Sequence, residues 1–379
     1  MTPAGTSLNR AKASEVTGVG AAGLRVGFVG GGFMAQVHSR AARAARARLA
    51  GIVSSTPTRS EQAAHELGIE QAFDSLDAML ASDDIDVVHV CTPNALHAEQ
   101  TAAVIQAGKH VVCEKPLATS VADALELAEL AASAGVTATV PFVYRFHPLV
   151  REARARVRSG SLGRLLSVHG SYLQDWLLES DDDNWRVDST RGGRSRAFAD
   201  IGSHLVDLVE FISGDRIERV SATARTFFDA RAEHADIVTE DAAAVVIETA
   251  AGALGTLLVS QVAPGRKNRL KVELAGASES LAFDQEQPET LWIGRRHGTQ
   301  VIPRDADQLF PDAARLITVP AGHPQGYQDA FNAFVADTYA AVGGATPEGL
   351  PRFADGLRAA RITDAVIDAA SSGRWVSVE

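Results

Sequence analysis

The sequence predicts two domains, a doubly wound parallel α/β domain followed by an α+β domain with an antiparallel sheet. Three observations support this prediction. The chain has 379 residues, more than one hydrophobic core usually supports. Between residues 24 and 143, short β-branched apolar runs alternate with amphipathic Ala-rich stretches, a pattern typical of parallel sheets. From residue 144 to 379, strand-like runs follow one another with few helices between them, which indicates antiparallel pairing.

The elements of the first domain follow from the period of the apolar residues. Helical periodicity is clearest over residues 95–107 and 121–134. The predicted strands are residues 25–29, 49–53, 87–91, 110–113 and 136–142. Strand and helix therefore alternate throughout this half.

In the second domain the pattern changes to runs that alternate residue by residue. Strands are predicted at residues 165–173, 242–249, 254–262 and 270–274. Helices are predicted at residues 148–158, 200–212, 325–342 and 352–370. The polar residues 1–23 that precede both domains are predicted to form a disordered tail.

Composition excludes several classes of function. Hydrophobic residues make up 46% of the chain and charged residues 22%, as in ordinary globular proteins. The formal net charge of −11 argues against nucleic acid or an anionic membrane as a partner. Cys91 and Cys113 form no Cys-x-x-Cys pair, so neither disulfides nor a zinc site is expected. Without an apolar span or signal peptide, we expect a cytoplasmic protein.

A glycine-rich turn follows the first predicted strand. Gly30, Gly32 and Ala35 fit the pattern Gly-x-Gly-x-x-Ala, with Phe33 and Met34 at the start of the next helix. The first small residue permits a tight turn, the second lets the backbone approach a pyrophosphate, and the third lets the helix pack closely on the strand. Helix N-terminal amides then meet the phosphates. This segment predicts a dinucleotide site.

The end of the second strand bears on the choice of dinucleotide. An NAD site usually has Asp or Glu about 20 residues after the glycines, on the ribose 2′-hydroxyl. This chain has Ser54 and Ser55 there, with Arg59 following. Two hydroxyls and a cation suit a 2′-phosphate, so NADP is predicted in preference to NAD. The alternative is a helix cap followed by an exposed arginine.

A charged pair ends the strand at residues 110–113. Glu114 and Lys115 stand just before Pro116. Ligands of open α/β sheets bind at the carboxyl ends of the strands, where Lys115 would polarise a substrate oxygen. A surface salt bridge is the competing interpretation.

Asp200 and His204 lie four residues apart at the start of a predicted helix. This spacing puts them on one face, where the carboxylate would orient the imidazole and raise its pKa for proton transfer. A capping Asp beside a structural His is the alternative. No third ligand at suitable spacing is present, so no metal is predicted.

Four motifs, in this order and spacing, resemble those of the glucose-fructose oxidoreductase, inositol dehydrogenase and MocA (Gfo/Idh/MocA) family. The resemblance runs from Leu24 to the C-terminus. The motifs are Val-Gly-Phe-Val-Gly-Gly-Gly-Phe-Met-Ala (26–35), Cys-Thr-Pro-Asn-Ala-Leu-His (91–97), Glu-Lys-Pro (114–116) and Asp-Ile-Gly-Ser-His (200–204).

The resemblance implies a Rossmann domain and a second domain with a large open antiparallel sheet, often used to form homodimers or homotetramers. It implies that Lys115 and His204 are catalytic with Asp200 assisting, and that the Lys115-Pro116 peptide is cis. The cofactor would be lined further by Thr92, Pro93, Asn94, His97 and Glu114. Substrate contacts would come from Tyr144, Arg145 and Ser203.

Within the family, residues 170–176 and the Trp185-Arg186 pair resemble the levoglucosan and pyranoside 3-dehydrogenase branch. This resemblance implies that Gln174 and Asp175 lie near a sugar and that Trp176 offers its ring an apolar face. Trp176 is alternatively a core residue. The chain departs from that branch at the end of the second strand, where the branch has an acidic residue and NADP-using members resemble this chain.

Together these residues predict hydride transfer between a secondary alcohol of a sugar, sugar derivative or cyclitol and the nicotinamide. Lys115 would hydrogen-bond the reacting oxygen, and either Lys115 or His204 would be the base. One alternative is an NADP-linked ketosugar reductase, and another is a non-catalytic, dinucleotide-sensing regulatory protein. The presence of Lys115, Asp200 and His204 together favours an enzyme.

Overall fold

The computed structural model describes residues 23–379. The predicted tail, residues 1–23, therefore lies outside the described residues apart from Gly23. Within residues 23–379 there is no helix with the length and apolar character that crossing a membrane requires.

The first sheet has six parallel strands in the order β3-β2-β1-β4-β5-β6. Its strands are β1 Arg25–Val29, β2 Arg48–Val53, β3 Gln71–Ala72, β4 Val87–Val90, β5 His110–Cys113 and β6 Ala138–Thr139. Its helices are α1 Phe33–Ala44, α2 Pro57–Leu67, α3 Leu76–Leu80, α4 His97–Gln106 and α5 Val121–Ala134. The order reverses between β1 and β4, and this is the position at which such sheets bind ligands. The prediction of a doubly wound parallel sheet is confirmed.

Local chemistry explains where the helices of this domain begin and end. The hydroxyls of Thr56, Ser75 and Ser120 each accept a backbone N–H of the first turn of α2, α3 and α5. Gly68 and Gly135 end α2 and α5 in the left-handed conformation that glycine adopts without steric cost. The predicted strand at 136–142 shortens to β6, because the chain turns after Thr139 into a short 3₁₀ helix, Val143–Phe146.

The second sheet has nine strands in the order β14-β13-β12-β11-β7-β10-β9-β8-β15. Its strands are β7 Leu165–Leu173, β8 Ile217–Arg225, β9 Ala242–Thr249, β10 Leu254–Ser260, β11 Arg269–Gly276, β12 Ser280–Asp284, β13 Thr290–Arg295, β14 Gly298–Pro303 and β15 Val376–Ser377. The accompanying helices are α6 Pro148–Arg158, α7 Ser189–Gly192, α8 Ser203–Ser213, α9 Pro311–Ala314, α10 Tyr327–Val342 and α11 Phe353–Ser372. A π-helical turn, Phe198–Gly202, precedes α8.

This sheet is mostly antiparallel, which confirms the predicted antiparallel sheet, but one pair of its strands is parallel. β10 runs parallel to β7, whereas the other neighbours pair antiparallel. The chain leaves β7 through α7 and α8, and after β8 and β9 it returns alongside β7 in the same direction. A parallel pair of strands needs a long crossover connection of this kind.

One face of the second sheet packs against helices, and the other is open. Along β9, Ala243, Val245 and Ile247 are buried, while Val246 between them is exposed. This alternation is that of a sheet covered on one side. Apolar side chains on the strands of the open face include Leu166, Leu254 and Leu258.

Helix α10 packs into the core of the first domain. Phe331 and Phe334 are buried in the same cluster as Val26 and Phe28 of β1. A β-bridge joins Thr139 at the end of β6 to residue 352, just before α11. The C-terminal helices therefore contribute to both halves of the molecule.

Candidate active site

A cleft of about 1150 Å³ lies where the carboxyl ends of the parallel strands face the second sheet. On the first domain it is lined by the glycine turn and by the residues that follow β2, β4 and β5. On the second it is lined by the end of β7, residues 184–191, the start of α8 and the start of α10. All the predicted site residues line this cleft except Arg145, Asp175 and Ser203.

The glycine turn has the geometry of a phosphate cradle. Gly30 has a φ of 96°, and a Cβ there would lie 2.8 Å from the carbonyl oxygen of Cys91. A Cβ on Gly32 would meet no atom within 4 Å, so the backbone is open toward the cleft. The first turn of α1 carries no acidic residue to repel an anion, and Phe33 is 70% exposed beside it. The turn therefore fits the pyrophosphate of a dinucleotide.

The ribose end of the cleft holds the predicted hydroxyls and cation. Ser54, Ser55 and Arg59 line it, and the Arg59 guanidinium donates to the Ser55 hydroxyl at 3.2 Å. The cap of α2 is Thr56, whose hydroxyl accepts the Arg59 backbone N–H at 3.2 Å. Asp74 lines the same end and was missed, because it belongs to the loop after β3, a strand too short to predict.

Side chains of the motif that follows β4 make hydrogen bonds to backbone carbonyl groups around the cleft. Thr92 and Pro93 line the cleft, and Asn94 donates its amide to the carbonyl of Gly192 at 3.0 Å. The two ring nitrogens of His97 lie 2.7 Å from the Pro116 carbonyl oxygen and 2.9 Å from the Thr92 carbonyl oxygen. Because a neutral imidazole has one N–H, one of these nitrogens donates to a backbone carbonyl while the ring borders the cleft.

Lys115 and Asp200 form an ion pair at the centre of the cleft. The Lys115 ammonium donates to Asp200 Oδ1 at 2.6 Å and to the Asp200 carbonyl at 2.9 Å. Asp200 Oδ2 accepts from Gln261 at 2.8 Å, and Arg186 Nε lies 3.6 Å from Oδ1. Burial alone would raise the pKa of Asp200, but the charges of Lys115 and Arg186 lower it to about 2. The Lys115-Pro116 peptide is cis, as the resemblance implied.

His204 faces the cleft without the predicted hydrogen bond to Asp200. The carboxylate pairs with the Lys115 ammonium instead, because a charge-assisted bond to a cation is stronger than one to a neutral ring. Burial and the Lys115 charge lower the pKa of His204 to about 3, so the predicted rise is wrong and the ring is neutral at pH 7. His204 Nδ1 is buried and has no hydrogen-bond partner within residues 23–379.

A network of polar side chains from the second domain lines the cleft opposite the glycine turn, and we call it the polar wall. Tyr144 and Tyr172 share a hydrogen bond of 2.5 Å, and both hydroxyls contact the Asn268 amide, at 3.1 and 2.7 Å. Gln174 donates to Asn268 Oδ1 at 2.8 Å and accepts from the Trp176 indole at 2.8 Å. The network presents hydroxyl, amide and indole groups to one region of the cleft.

Trp176 has both of the positions considered for it, at the cleft and against the core. It lines the cleft, and it also packs against a small core cluster of Leu177, Val187 and Ile237. Its ring is therefore held in place by the core while bordering the cleft.

Arg145 does not line the cleft, contrary to the prediction. Its guanidinium is buried on the far side of the adjoining 3₁₀ helix, where it donates to Asp207 and Asp355 at 2.8 Å each and lies over the Phe211 ring. A buried guanidinium needs anionic partners, and the partners of Arg145 lie on α8 and α11 rather than in the cleft.

Asp175 and Ser203 are likewise not cleft residues. Asp175 accepts from the Lys267 ammonium at 2.8 Å and from the Gly265 backbone N–H at 3.0 Å. Neighbouring side chains on an extended segment point to opposite sides, so Asp175 points away while Gln174 and Trp176 face the cleft. Ser203 donates to the Ala199 carbonyl within the π turn at 2.8 Å.

Several cleft residues were missed by sequence reasoning. Tyr172 on β7 and Asn268 just before β11 are 96 residues apart in the chain, so no local motif joins them. The segment with Asn184, Trp185, Arg186 and Arg191 also lines the cleft. Its Trp185-Arg186 pair supported the resemblance but received no role.

No group of three or more His, Cys, Asp or Glu side chains suited to a metal ion was found in the part of the chain that the structure describes.

Comparison with known proteins agrees with this geometry. A family model described as an oxidoreductase family with an NAD-binding Rossmann fold matches residues 24–142, and the GFO/IDH/MocA C-terminal domain model matches residues 150–282. The chain belongs to the Gfo/Idh/MocA family. It is an oxidoreductase with an NAD-binding Rossmann domain.

Solved structures of this family resemble the chain along nearly its whole length. An oxidoreductase domain protein from Kribbella flavida is 35% identical, has a TM-score of 0.88, and aligns over 94% of this chain and all of its own. Levoglucosan dehydrogenase from Pseudarthrobacter phenanthrenivorans is 29% identical over 94% of this chain and 98% of its own. A levoglucosan dehydrogenase structure in complex with NADH and L-sorbose has a TM-score of 0.88.

An inositol dehydrogenase homologue from Azotobacter vinelandii, complexed with NAD⁺, is 27% identical. It has a TM-score of 0.88 and covers 95% of this chain and 98% of its own. The fold class and the recognition of the Gfo/Idh/MocA family are confirmed by these comparisons, and the roles of individual site residues stay predictions.

Proposed function

We propose that this protein is an NAD(P)-dependent dehydrogenase that transfers a hydride between a secondary alcohol of a sugar, sugar derivative or cyclitol and the nicotinamide. The observation that carries the proposal is the Lys115–Asp200 ion pair beside His204, in the cleft between the glycine turn and the polar wall. When bound, the cofactor supplies the hydride acceptor. The protein supplies orientation and proton transfer.

Lys115 is proposed to hydrogen-bond the reacting oxygen. Two of its three ammonium donors are directed to Asp200, which leaves one for the substrate. Asp200 is fixed in turn by Gln261 and Arg186, so the Lys115 side chain is held before substrate arrives. Such prior orientation lowers the barrier by placing the reacting groups in contact distance.

His204 is proposed to exchange the alcohol proton with Lys115 or with the substrate directly. Its neutral ring lines the cleft and can accept a hydrogen bond at neutral pH. Phe142 and Tyr144 contact the ring edge-to-face and hold its plane. Both Lys115 and His204 remain candidates for the base.

A polyhydroxylated substrate is supported by the polar wall. Amide and hydroxyl groups both donate and accept, which matches the vicinal hydroxyls of a sugar or cyclitol, and Trp176 offers a ring face. Relatives named levoglucosan dehydrogenase and inositol dehydrogenase homologue support the same class.

NADP is proposed as the preferred cofactor. Ser54, Ser55 and Arg59 line the ribose end, and the Arg59–Ser55 hydrogen bond brings a cation and hydroxyls together as a 2′-phosphate requires. Asp74 at the same end and the NADH-bound levoglucosan dehydrogenase support NAD as the second candidate.

A homodimer or homotetramer through the open face of the second sheet is also proposed. Leu166, Val246, Leu254 and Leu258 are exposed on its strands, and exposed apolar patches commonly mark protein interfaces. Light scattering of the wild type and of Leu258→Lys tests this, since the charged variant would be monomeric.

A spectrophotometric screen tests the proposed reaction. Cyclitols, aldoses, anhydrosugars and glycosides are each offered with NAD and with NADP, and reduced cofactor is followed by absorbance. We expect turnover with at least one carbohydrate or cyclitol. Binding of the dinucleotide without turnover of any member would instead favour a regulatory protein.

A further inference from the structure

A buried hydrogen-bonded chain runs from α10 to the cleft. The Tyr339 hydroxyl lies 2.9 Å from His89 Nε2, His89 Nδ1 lies 2.7 Å from His38 Nδ1, and His38 Nε2 lies 2.8 Å from Glu114 Oε1. These side chains come from α10, β4, α1 and the end of β5. Tyr339, His89 and His38 are fully buried, and Glu114 is 5% exposed. Only Glu114 lines the cleft.

Hydrogen-bond accounting gives this chain one direction. The ionised Glu114 carboxylate only accepts, so His38 Nε2–H donates to it and a neutral His38 accepts at Nδ1. His89 then donates from Nδ1 and accepts from the Tyr339 hydroxyl at Nε2. The reverse order requires a charged His38, and it leaves the Tyr339 proton without an acceptor among the described residues. Every group is satisfied only when donors point from Tyr339 toward Glu114.

The electrostatic surroundings agree with a neutral His89 ring and an ionised Glu114 carboxylate. Burial holds the pKa of His89 well below its usual range and that of Tyr339 well above, so both are uncharged at neutral pH. Burial alone would raise the pKa of Glu114, but the His38 hydrogen bond and the Lys115 charge outweigh it and lower it. The Lys115 backbone N–H donates to Glu114 Oε2 at 3.1 Å.

The carboxylate of Glu114 thus carries a negative charge beside the reaction centre. Its neighbour Lys115 is proposed to contact the reacting oxygen, and the carbon bearing that oxygen must lie about 3 to 3.5 Å from the nicotinamide ring for hydride transfer. The ring is positively charged when oxidised and neutral when reduced. A fixed anion nearby therefore discriminates between the two forms.

We propose that Tyr339, His89 and His38 are positioning residues that hold Glu114 as an anion facing the nicotinamide, and that this anion makes the protein favour the oxidised cofactor. This inference rests on the proposed function, since it takes Lys115 to mark the reacting carbon.

The experiment is a comparison of dissociation constants without substrate. The reduced cofactor is titrated by its fluorescence, and the oxidised cofactor is titrated by competition against it. Glu114→Gln removes the charge while keeping the shape. We expect the affinity ratio of oxidised to reduced cofactor to fall about tenfold in this variant. A ratio within twofold of wild type would overturn the proposal, whereas failure to bind either cofactor would overturn the proposed function.

The positioning role is tested at His38 by a matched pair of variants. His38→Phe removes the donor to Glu114, so the pKa of the carboxyl should rise and the affinity ratio should fall at a pH about one unit higher than in wild type. His38→Gln keeps a donor near the Nε2 position and should restore the wild-type pH profile. An unshifted profile in His38→Phe would overturn the positioning role, and thermal unfolding of each variant separates it from simple loss of stability.

Other ionisable groups surround Glu114 and bear on the pH profile of the affinity ratio. They are Lys115, His38, His97, His204, Cys91 and Tyr327. Tyr339→Phe changes the end of the hydrogen-bonded series that is farthest from Glu114. It keeps the side-chain volume and removes only the hydroxyl that donates to His89. We expect it to lower the affinity ratio by less than Glu114→Gln does, and an effect as large would place the discriminating charge elsewhere.

Discussion

The two halves of the cleft are built in different ways. The cofactor half comes from short stretches that follow β1, β2, β4 and β5, and each stretch carries its functional residues side by side in sequence. The substrate half is assembled by strand pairing. Tyr172 of β7 and Leu270 of β11 are register partners, which brings Asn268 beside the Tyr172 hydroxyl.

This difference determines what a substitution should do in each half. A residue in the cofactor half acts on cofactor binding or on the proton and hydride chemistry, because the backbone there is fixed by the parallel sheet. Residues in the substrate half act through a shared network, so removal of one group leaves several others without partners.

The largest effect is expected at the junction of the two halves. Lys115→Ala should lower kcat by about 10² to 10⁴-fold, because acid–base and oxyanion contacts typically contribute that much. The cofactor dissociation constant should stay within a few-fold of wild type. Lys109→Ala is the control, since Lys109 precedes the opposite end of the same strand and bonds the Ser82 carbonyl. Steady-state kinetics that left Lys115→Ala near wild-type turnover would remove the reaction centre from this position.

Acid should destabilise the substrate half. Burial lowers the pKa of His147, stacked on Tyr144, to about 4. The unfolded chain binds this proton near pH 6.5, so the neutral ring's contribution is complete above that value and is lost as the pH falls toward 4. Between pH 7.5 and 5.0 the free energy of unfolding should drop by about 2 kcal/mol through this group.

Urea unfolding at the two pH values measures this loss. The drop should shrink by about 2 kcal/mol in His147→Gln and stay unchanged in His65→Gln, whose side chain is exposed on α2. Equal pH dependence in wild type and His147→Gln would show that the substrate half does not respond to acid through this ring.

Asn268→Ala tests whether the substrate half acts separately from the cofactor half. Loss of the amide leaves Tyr172 and Gln174 without a shared partner, so KM for the sugar or cyclitol should rise by about tenfold or more. Cofactor affinity, measured by fluorescence titration, should remain within twofold. A matching change in cofactor affinity would mean that the two halves are coupled and would break the comparison.

The smallest effect is expected at the ribose end. Arg59→Ala should lower kcat/KM for NADP by about tenfold, or about 1.4 kcal/mol, while leaving that for NAD nearly unchanged. Arg40→Ala, exposed on α1, is the control. A wild-type enzyme that used NAD tenfold better than NADP would contradict the NADP proposal, and Asp74 would then be the ribose contact to test.

Sequence reasoning was most accurate where function is encoded locally. The glycine turn and Lys115 were placed in one cleft, because loops at the carboxyl ends of strands meet whenever a parallel sheet forms. Bounds were reproduced for α5, which Ser120 caps and Gly135 ends, and for α6, which begins at Pro148. Such segments need no information from distant parts of the chain.

The errors arose where tertiary partners decide the outcome. The spacing alone predicted that Asp200 contacts His204. The Asp200 carboxylate instead accepts from Lys115, a stronger partner that is 85 residues away in the chain. Arg145 was predicted to line the cleft because it belongs to a family motif. Its guanidinium instead donates to Asp207 and Asp355, away from the cleft. The parallel pairing of β7 and β10 depends on a crossover that strand patterns do not reveal.

The packing of α10 against β1 has a consequence for how the protein is made. On the ribosome, the six parallel strands emerge well before Phe331, Phe334 and Tyr339, which complete their core. Until that late helix arrives, the nascent first domain exposes the apolar surface of Val26 and its neighbours. Emergence of α10, rather than completion of the parallel sheet, is therefore the event that ends the period of greatest aggregation risk. A fragment that stops before α10 should depend on chaperones.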